Sequence, residues 1–458
     1  MTQITTSIKM PLCLLAVIIT CFLHNYVGAQ DTGSKMDDYM RAHVEQKNFS
    51  GCILVAAEGK IVIAKSYGMA NYEHEIPNAT QTKFQIGSMT KSFTALAIML
   101  LKKRGVLSLD DAVAKYLPDF PYEKKITIRH LLTHTSGLPR IEDIPDHKNI
   151  MAKNLNLEDV LGLLYKIPGK CEPATEYSYN NAGYMLLAEI IEKTTGKKYG
   201  DFLKEQIFDP CGMQNTLVPD SRALIENRAY GYNIGGNASL ENADYENLYA
   251  FQGASGIYST AGDLYLLDQA LYKEELLDKE SLMEMFAPQA GGRYGYGWVI
   301  SVCYDHRMVW HDGSTLGYQS FMARFPDDNA CIIILSNFIH APISMIQRDL
   351  AAILFGKSYV TPETPASIAI DTAIYNYYPG KYKLENDDIV TITKEDNRLF
   401  GEALSAPMKF ELFPVAPDRF TVKIREGVGF TFKKDSNNHY NAIVLHWGST
   451  DISGIRIE

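Results

Sequence analysis

Ser88 and Lys91 stand three residues apart at the head of an uncharged run, Phe93-Thr-Ala-Leu-Ala-Ile-Met-Leu-Leu101. Read as a helix, the segment puts positions i and i+3 on one face, so a hydroxyl and an amine meet one turn apart. This pairing constrains the fold more than any other stretch, because it requires a nucleophile and a base to sit together where the helix begins. Burial or neighbouring cations strip a proton from a lysine more readily, which makes Lys91 a base instead of a solvated charge. The helix start adds free backbone N–H groups and the positive end of the dipole, where an oxyanion would form. Ser-x-x-Lys marks one class of serine acyl-transfer sites. Patterns of two common residue types also arise by chance, so its meaning depends on the rest of the chain.

Two further segments supply that context. Residues 177–184, Tyr-Ser-Tyr-Asn-Asn-Ala-Gly-Tyr, contain Tyr179-x-Asn181 on a polar turn expected to precede a helix over 185–193. Residues 310–317, Trp-His-Asp-Gly-Ser-Thr-Leu-Gly, contain His311-x-Gly313 after the apolar pair Met308-Val309. In order and spacing the three motifs resemble those of the serine β-lactamases and penicillin-binding proteins. The chain resembles the superfamily of class C β-lactamases, D-alanyl-D-alanine carboxypeptidases and esterases. Segments 130–139 (His-Leu-Leu-Thr-His-Thr-Ser-Gly-Leu-Pro), 253–263 and 294–298 are also similar to that family, and the likeness runs over roughly residues 35–356.

The resemblance implies an α/β (α+β) fold of the β-lactamase and transpeptidase kind. An antiparallel sheet formed by the two ends of the domain is flanked by helices, a helical subdomain is inserted between them, and Ser88 lies at the junction. It further implies that Ser88 is the nucleophile and that Lys91 and Tyr179 share the acid–base work, with the order of their action left open. Asn181, His311, Gly313 and Ser314 would contact substrate, Asn181 also hydrogen-bonding Lys91, and the N–H groups of Ser88 and Ser314 would form the oxyanion hole.

At His311 the chain departs from true β-lactamases, which carry a lysine there. A lysine recruits a substrate carboxylate, whereas histidine is mostly neutral at pH 7. The change weakens the case for β-lactams or free carboxyl-terminal peptides and fits the esterase and D-aminopeptidase members of the superfamily. A packed His311 that only positions Tyr179 is the alternative. The expectation is a serine hydrolase working through an acyl-Ser88 intermediate on an ester or amide, taking a small-molecule or peptide-like acyl substrate and no cofactor. An acyltransferase that hands the acyl group to an alcohol or amine is one alternative. A non-catalytic sensor of peptidoglycan fragments or β-lactams is another, although a sensor has no need to keep Ser88, Lys91 and Tyr179 together.

With 458 residues, 46% hydrophobic and 21% charged, the chain can bury more than one core. A net charge of −10 argues against nucleic acid and anionic lipid surfaces as partners; the oligomeric state is left open. Lys9, the apolar stretch 10–22 and Val27-Gly-Ala29 read as an export signal cleaved after Ala29, too short for a stable membrane span. The protein is therefore expected in the periplasm or outside the cell. Lipidation at Cys21 is disfavoured by the preceding Ile19-Thr20. Short alternating runs at 380–384, 389–394, 410–413, 420–424, 429–433 and 442–447 suggest a small β-barrel or sandwich, and Tyr378-Pro-Gly-Lys-Tyr382 resembles the opening of the lipocalin-like C-terminal domain of some of these hydrolases. The expected partition is a signal peptide at 1–29, a β-lactamase-related domain at 30–358, a proline-bearing linker at 359–372 and, as that resemblance implies, a small lipocalin-like β-barrel at 373–458.

His130 and His134 have the i,i+4 spacing of a zinc pair. Leu131 follows the first histidine where the metalloprotease motif has glutamate, so no metal is expected and the segment reads as a structural turn. The five cysteines beyond residue 29 are scattered and read as isolated thiols, with one disulfide as the alternative. Of the 28 tyrosines, Tyr294, Tyr296 and Tyr318 lie near the third motif and are expected mainly in the core.

Overall fold

The computed structural model describes residues 31–122, 125–147, 153, 155–220, 222–234, 239–244, 247–289, 292–362, 371–404, 406–422, 428–447 and 450–458. The export segment expected over 1–29 lies outside them, as do residues 363–370 of the expected linker.

Helix α1 (31–45) leads into strands β1 (Gly51–Ala57) and β2 (Lys60–Tyr67), joined by the turn Glu58-Gly59. The uncharged run then forms helix α2 (Thr90–Lys103), in which every residue from Thr90 to Leu101 is buried. Helix α3 (Asn181–Thr195) follows in the helical region. It begins four residues earlier than the sequence suggests, because Asn180 caps it: the Asn180 side chain accepts the Ala182 N–H at 2.8 Å. Strands β3 (Val299–Cys303), β4 (His306–Thr315), β5 (Tyr318–Phe325) and β6 (Ala330–Ser336) return to the sheet, and helix α4 (Ile343–Leu354) closes the domain. The sheet is antiparallel throughout, in the order β2-β1-β6-β5-β4-β3.

Strand β6 explains the layering. A strand covered on both faces needs an unbroken apolar sequence, and Cys331-Ile-Ile-Ile-Leu335 supplies one. Cys331, Ile333 and Leu335 join the core shared with α2 and α3. Ile332 and Ile334 point the other way and join the core shared with α1 and α4. Burying α2 in the first of these cores carries Ser88 to the boundary between sheet and helical region.

The C-terminal segment is a closed eight-stranded antiparallel barrel: β7 (Gly380–Leu384), β8 (Ile389–Glu395), β9 (Arg398–Ala403), β10 (Ala406–Ala416), β11 (Arg419–Val422), β12 (Val428–Lys434), β13 (Tyr440–Trp447) and β14 (Thr450–Arg456). Six of these strands are legible as alternating runs. The additional two, β9 and β14, each carry a glycine and flanking charged residues that interrupt the alternation. Strand β14 is the one that closes the barrel, pairing Tyr382 with Arg456. Tyr378, Tyr382, Phe420 and Phe432 fill its interior.

Among the described residues, Cys52, Cys171, Cys211, Cys303 and Cys331 are all free thiols, and no helix is long and apolar enough to cross a membrane.

Candidate active site

Ser88 lies in a single 3-10 turn, Gly87–Met89, that runs directly into α2. Lys91 follows in the first helical turn with its side chain fully buried. Its Nζ lies 3.0 Å from Ser88 Oγ and donates to the Ala254 carbonyl at 2.9 Å. Among the described residues no carboxylate pairs with it, and burial pulls its pKa down to about 7. A lysine so placed is partly unprotonated at neutral pH, next to the hydroxyl it would deprotonate.

Tyr179 forms the roof of this pair, with its ring centroid 4.9 Å from Lys91 Nζ. Burial raises the phenol's pKa, and an opposing hydrogen bond with Ser88 lowers it by less. The phenol therefore stays protonated at neutral pH. Asn181 is the first residue of α3 and half-buried. The expected bond from Asn181 to Lys91 is not formed, because the Lys91 amine turns to Ser88 and to the Ala254 carbonyl instead.

Strand β4 supplies the opposite wall. The β3 pairing of β4 ends at Trp310, so His311 to Thr315 present a free edge. The two-residue connection Leu316-Gly317 makes Thr315 and Tyr318 a hydrogen-bonded pair, and ladder alternation then turns the Ser314 N–H off β5 and out along that edge. It meets the turn bearing Ser88: a Cβ built on Gly87 would lie 2.8 Å from Ser314 N. Gly87 itself has φ +50, and a Cβ on Gly313 would lie 2.0 Å from the Ile86 carbonyl oxygen. Both glycines are required by this contact, which sets Ser314 against the turn that bears Ser88.

His311 is buried, at 2% exposure. Its Nδ1 lies 2.6 Å from the Asp312 carbonyl, which can only accept, so Nδ1 carries the proton and Nε2 accepts from the Tyr294 hydroxyl at 3.0 Å. Burial lowers its pKa to about 4, leaving it neutral at pH 7. Its hydrogen bond goes to Tyr294; Tyr179 is a ring neighbour at 6.5 Å. Asp312 and Ser314, on the other face of the strand, are exposed.

His134, read from sequence as part of a structural turn, is at the centre of this site. Its carbonyl accepts the Ser178 N–H at 2.8 Å and its Nδ1 accepts the Asn180 N–H at 3.1 Å. Its ring lies 4.3 Å from that of Tyr179, and Tyr184 and Tyr294 complete a cage at 5.1 and 4.7 Å. His134 Nε2, which carries the proton, is buried without a hydrogen-bond partner, and burial keeps the ring neutral. Segments 130–139, 253–263 and 294–298 hold His134, Ala254 and Tyr294, so the sequence marked these stretches without revealing their contacts. His130 is elsewhere, capping its own helix by accepting the Thr127 N–H. Among the described residues no group of three or more His, Cys, Asp or Glu could hold a metal.

A helix-start serine beside a buried lysine, at the edge of an antiparallel sheet sandwiched by helices, is the arrangement of the β-lactamase-like serine hydrolases. The chain belongs to the β-lactamase family, whose sequence profile, described as Beta-lactamase, matches residues 36–353. It is 37% identical to penicillin-binding protein 4* of Bacillus subtilis strain 168 over 421 residues, covering 86% of this chain and 92% of that protein. It is 32% identical to the putative penicillin-binding protein PbpX of the same strain, over 59% of this chain and 66% of that one. Among solved structures, the octameric penicillin-binding protein homologue from Pyrococcus abyssi superimposes with a TM-score of 0.64 at 25% identity, covering 92% of this chain and 99% of its own. The fold is also that of the D-amino acid amidase from Ochrobactrum anthropi SV3, solved in complex with D-phenylalanine, with a TM-score of 0.63 at 24% identity over 71% of this chain and 99% of that one.

Proposed function

We propose that this β-lactamase-family serine hydrolase cleaves an ester or amide through an acyl-Ser88 intermediate, with weak or no action on β-lactams. The observation that carries the reading is the 3.0 Å approach of a buried, partly neutral Lys91 amine to Ser88 Oγ. Lys91 Nζ takes the hydroxyl proton as Oγ bonds to the carbonyl carbon, and the carbonyl oxygen becomes an oxyanion held by the N–H groups of Ser88 and Ser314. Collapse breaks the bond to the leaving group, which takes a proton from the Tyr179 phenol. The Lys91 proton then restores Tyr179. Water adds to the acyl carbon in the second half, giving up its proton as Ser88 Oγ regains one. The raised pKa of Tyr179 favours Lys91 as the first base and Tyr179 as the acid. A neutral, buried His311 leaves that position without a cation for a substrate carboxylate, which supports the esterase or D-aminopeptidase reading over a β-lactamase one.

Intact-mass spectrometry of the wild type and Ser88→Ala tests this, after incubation with chromogenic esters, D-amino-acid amides and a cephalosporin. A Ser88-dependent adduct or turnover is expected with an ester or amide. An adduct that persists in Ser88→Ala removes Ser88 as the nucleophile. We propose action outside the cytoplasm on the strength of the 1–29 segment; a mature N-terminus other than Gln30 would overturn that cleavage.

A further inference from the structure

Beyond Trp310 the outer edge of β4 pairs with no strand among the described residues and faces the turn that bears Ser88. Asp312 lies on this free segment, one residue from the Gly313–Ser314 contact with Gly87. Its side chain is 64% exposed, and its ion-pair contact among the described residues is with His311 Nδ1 at 3.9 Å. The proton of that nitrogen is already given to the Asp312 carbonyl, and the imidazole is neutral. Among the described residues no lysine or arginine pairs with the Asp312 carboxylate, which leaves a negative charge at the rim of the site.

Its field reaches the buried groups. Asp312 acts on Lys91, Tyr179 and His311 in the same upward direction. The other charge acting on Lys91 is also negative, Glu142 in the short turn Ile141–Asp143 of the helical region. Of the cations at that turn, Lys170 pairs with Asp143 at 2.6 Å and Arg140 donates to Ser178 Oγ at 3.2 Å; both act on Asp143, and neither is among the groups acting on Lys91 or Tyr179.

We infer that Asp312 selects acyl donors that carry a free ammonium group and disfavours those that carry a carboxylate. The inference rests on the acyl-Ser88 reading. A carboxylate at the rim attracts a cation and repels an anion before either reaches the serine, and a negative field focused by a low-dielectric cleft acts more strongly than the same charge on an open surface. Asp312 is a specificity determinant here and takes no part in bond making.

Three para-nitroanilides test the inference at about pH 7, where an α-amino group is mostly protonated: those of alanine (D and L separately), propionate and succinate. They present an ammonium, no charge and a carboxylate. In Asp312→Asn the alanyl-to-propionyl ratio of kcat/KM falls about tenfold for the isomer the site accepts, and the succinyl-to-propionyl ratio rises. Asp312→Lys carries both changes further. Added salt shrinks the wild-type preference, because the carboxylate is open to screening. Using ratios cancels any general loss from the substitutions. Ser88-dependent turnover of propionyl anilide with both ratios unchanged in the variants overturns the role of Asp312 alone. Absence of Ser88-dependent turnover of all three overturns the acyl-Ser88 reading, and this inference with it.

Discussion

The His134 and Tyr179 rings pack 4.3 Å apart, and His134 fixes the backbone on both sides of the tyrosine, its Nδ1 accepting the Asn180 N–H and its backbone carbonyl the Ser178 N–H. One residue therefore positions the phenol over Lys91 without touching substrate. In His134→Phe the ring volume is roughly kept and the Nδ1 acceptor is lost, leaving the Asn180 N–H unsatisfied at a cost of about 1–3 kcal/mol. We expect kcat for acylation to fall about 10- to 100-fold with KM little changed. A general loss of folding would instead lower the active fraction and leave both constants of the remainder intact, which active-site titration distinguishes.

Lys91 must be neutral to accept the Ser88 proton, and burial has brought its pKa to about 7. The value of kcat/KM for an uncharged ester should therefore rise with pH through about 7 and then level. Asp312 pushes the Lys91 pKa upward, so Asp312→Asn should move this limb to lower pH. Lys91→Arg keeps a cation that does not deprotonate and should reduce acylation by about a thousandfold or more. A pH profile measured by stopped-flow acylation checks both.

His311 has a pKa near 4 in the folded protein against about 6.5 when unfolded. Between those values the unfolded chain holds a proton that the folded one lacks. Stability contributed by the neutral imidazole is thus present above about pH 6.5, declines as pH falls, and levels off below about 4, a total of roughly 3 kcal/mol. His311→Gln can still accept from Tyr294 and does not titrate. Urea unfolding at pH 7 and pH 5 should show the wild type losing about 2 kcal/mol more than this variant over the interval.

The strand-edge contact sets the last expectation. In Gly313→Ala the new methyl would lie 2.0 Å from the Ile86 carbonyl oxygen, so β4 must draw away from the turn bearing Ser88. We expect a stability loss of about 1–3 kcal/mol and a fall in acylation of about 100-fold or more, since the Ser314 N–H leaves the oxyanion position. Comparing thermal unfolding with the acylation rate separates the two effects.

What the sequence by itself determined is what short range governs. Helical periodicity puts Ser88 beside Lys91, the Glu58-Gly59 turn between two strand-forming runs gives the Gly51–Ala57 and Lys60–Tyr67 hairpin, and an apolar run makes Cys331–Leu335 a strand. The barrel's closing strand escaped because its glycine and charged residues carry little alternation, although pairing with β7 holds it. Only the tertiary structure decided that Ala254, and not Asn181, receives the Lys91 amine. It also decided that His134 sits against Tyr179, that His311 bonds Tyr294, and that Asp312 pairs with no lysine or arginine among the described residues. These contacts join segments far apart in the chain, and the lowered pKa of Lys91 sums the burial from all of them. Local pattern names a serine and a lysine; the packing of distant elements around them determines how the proton is held.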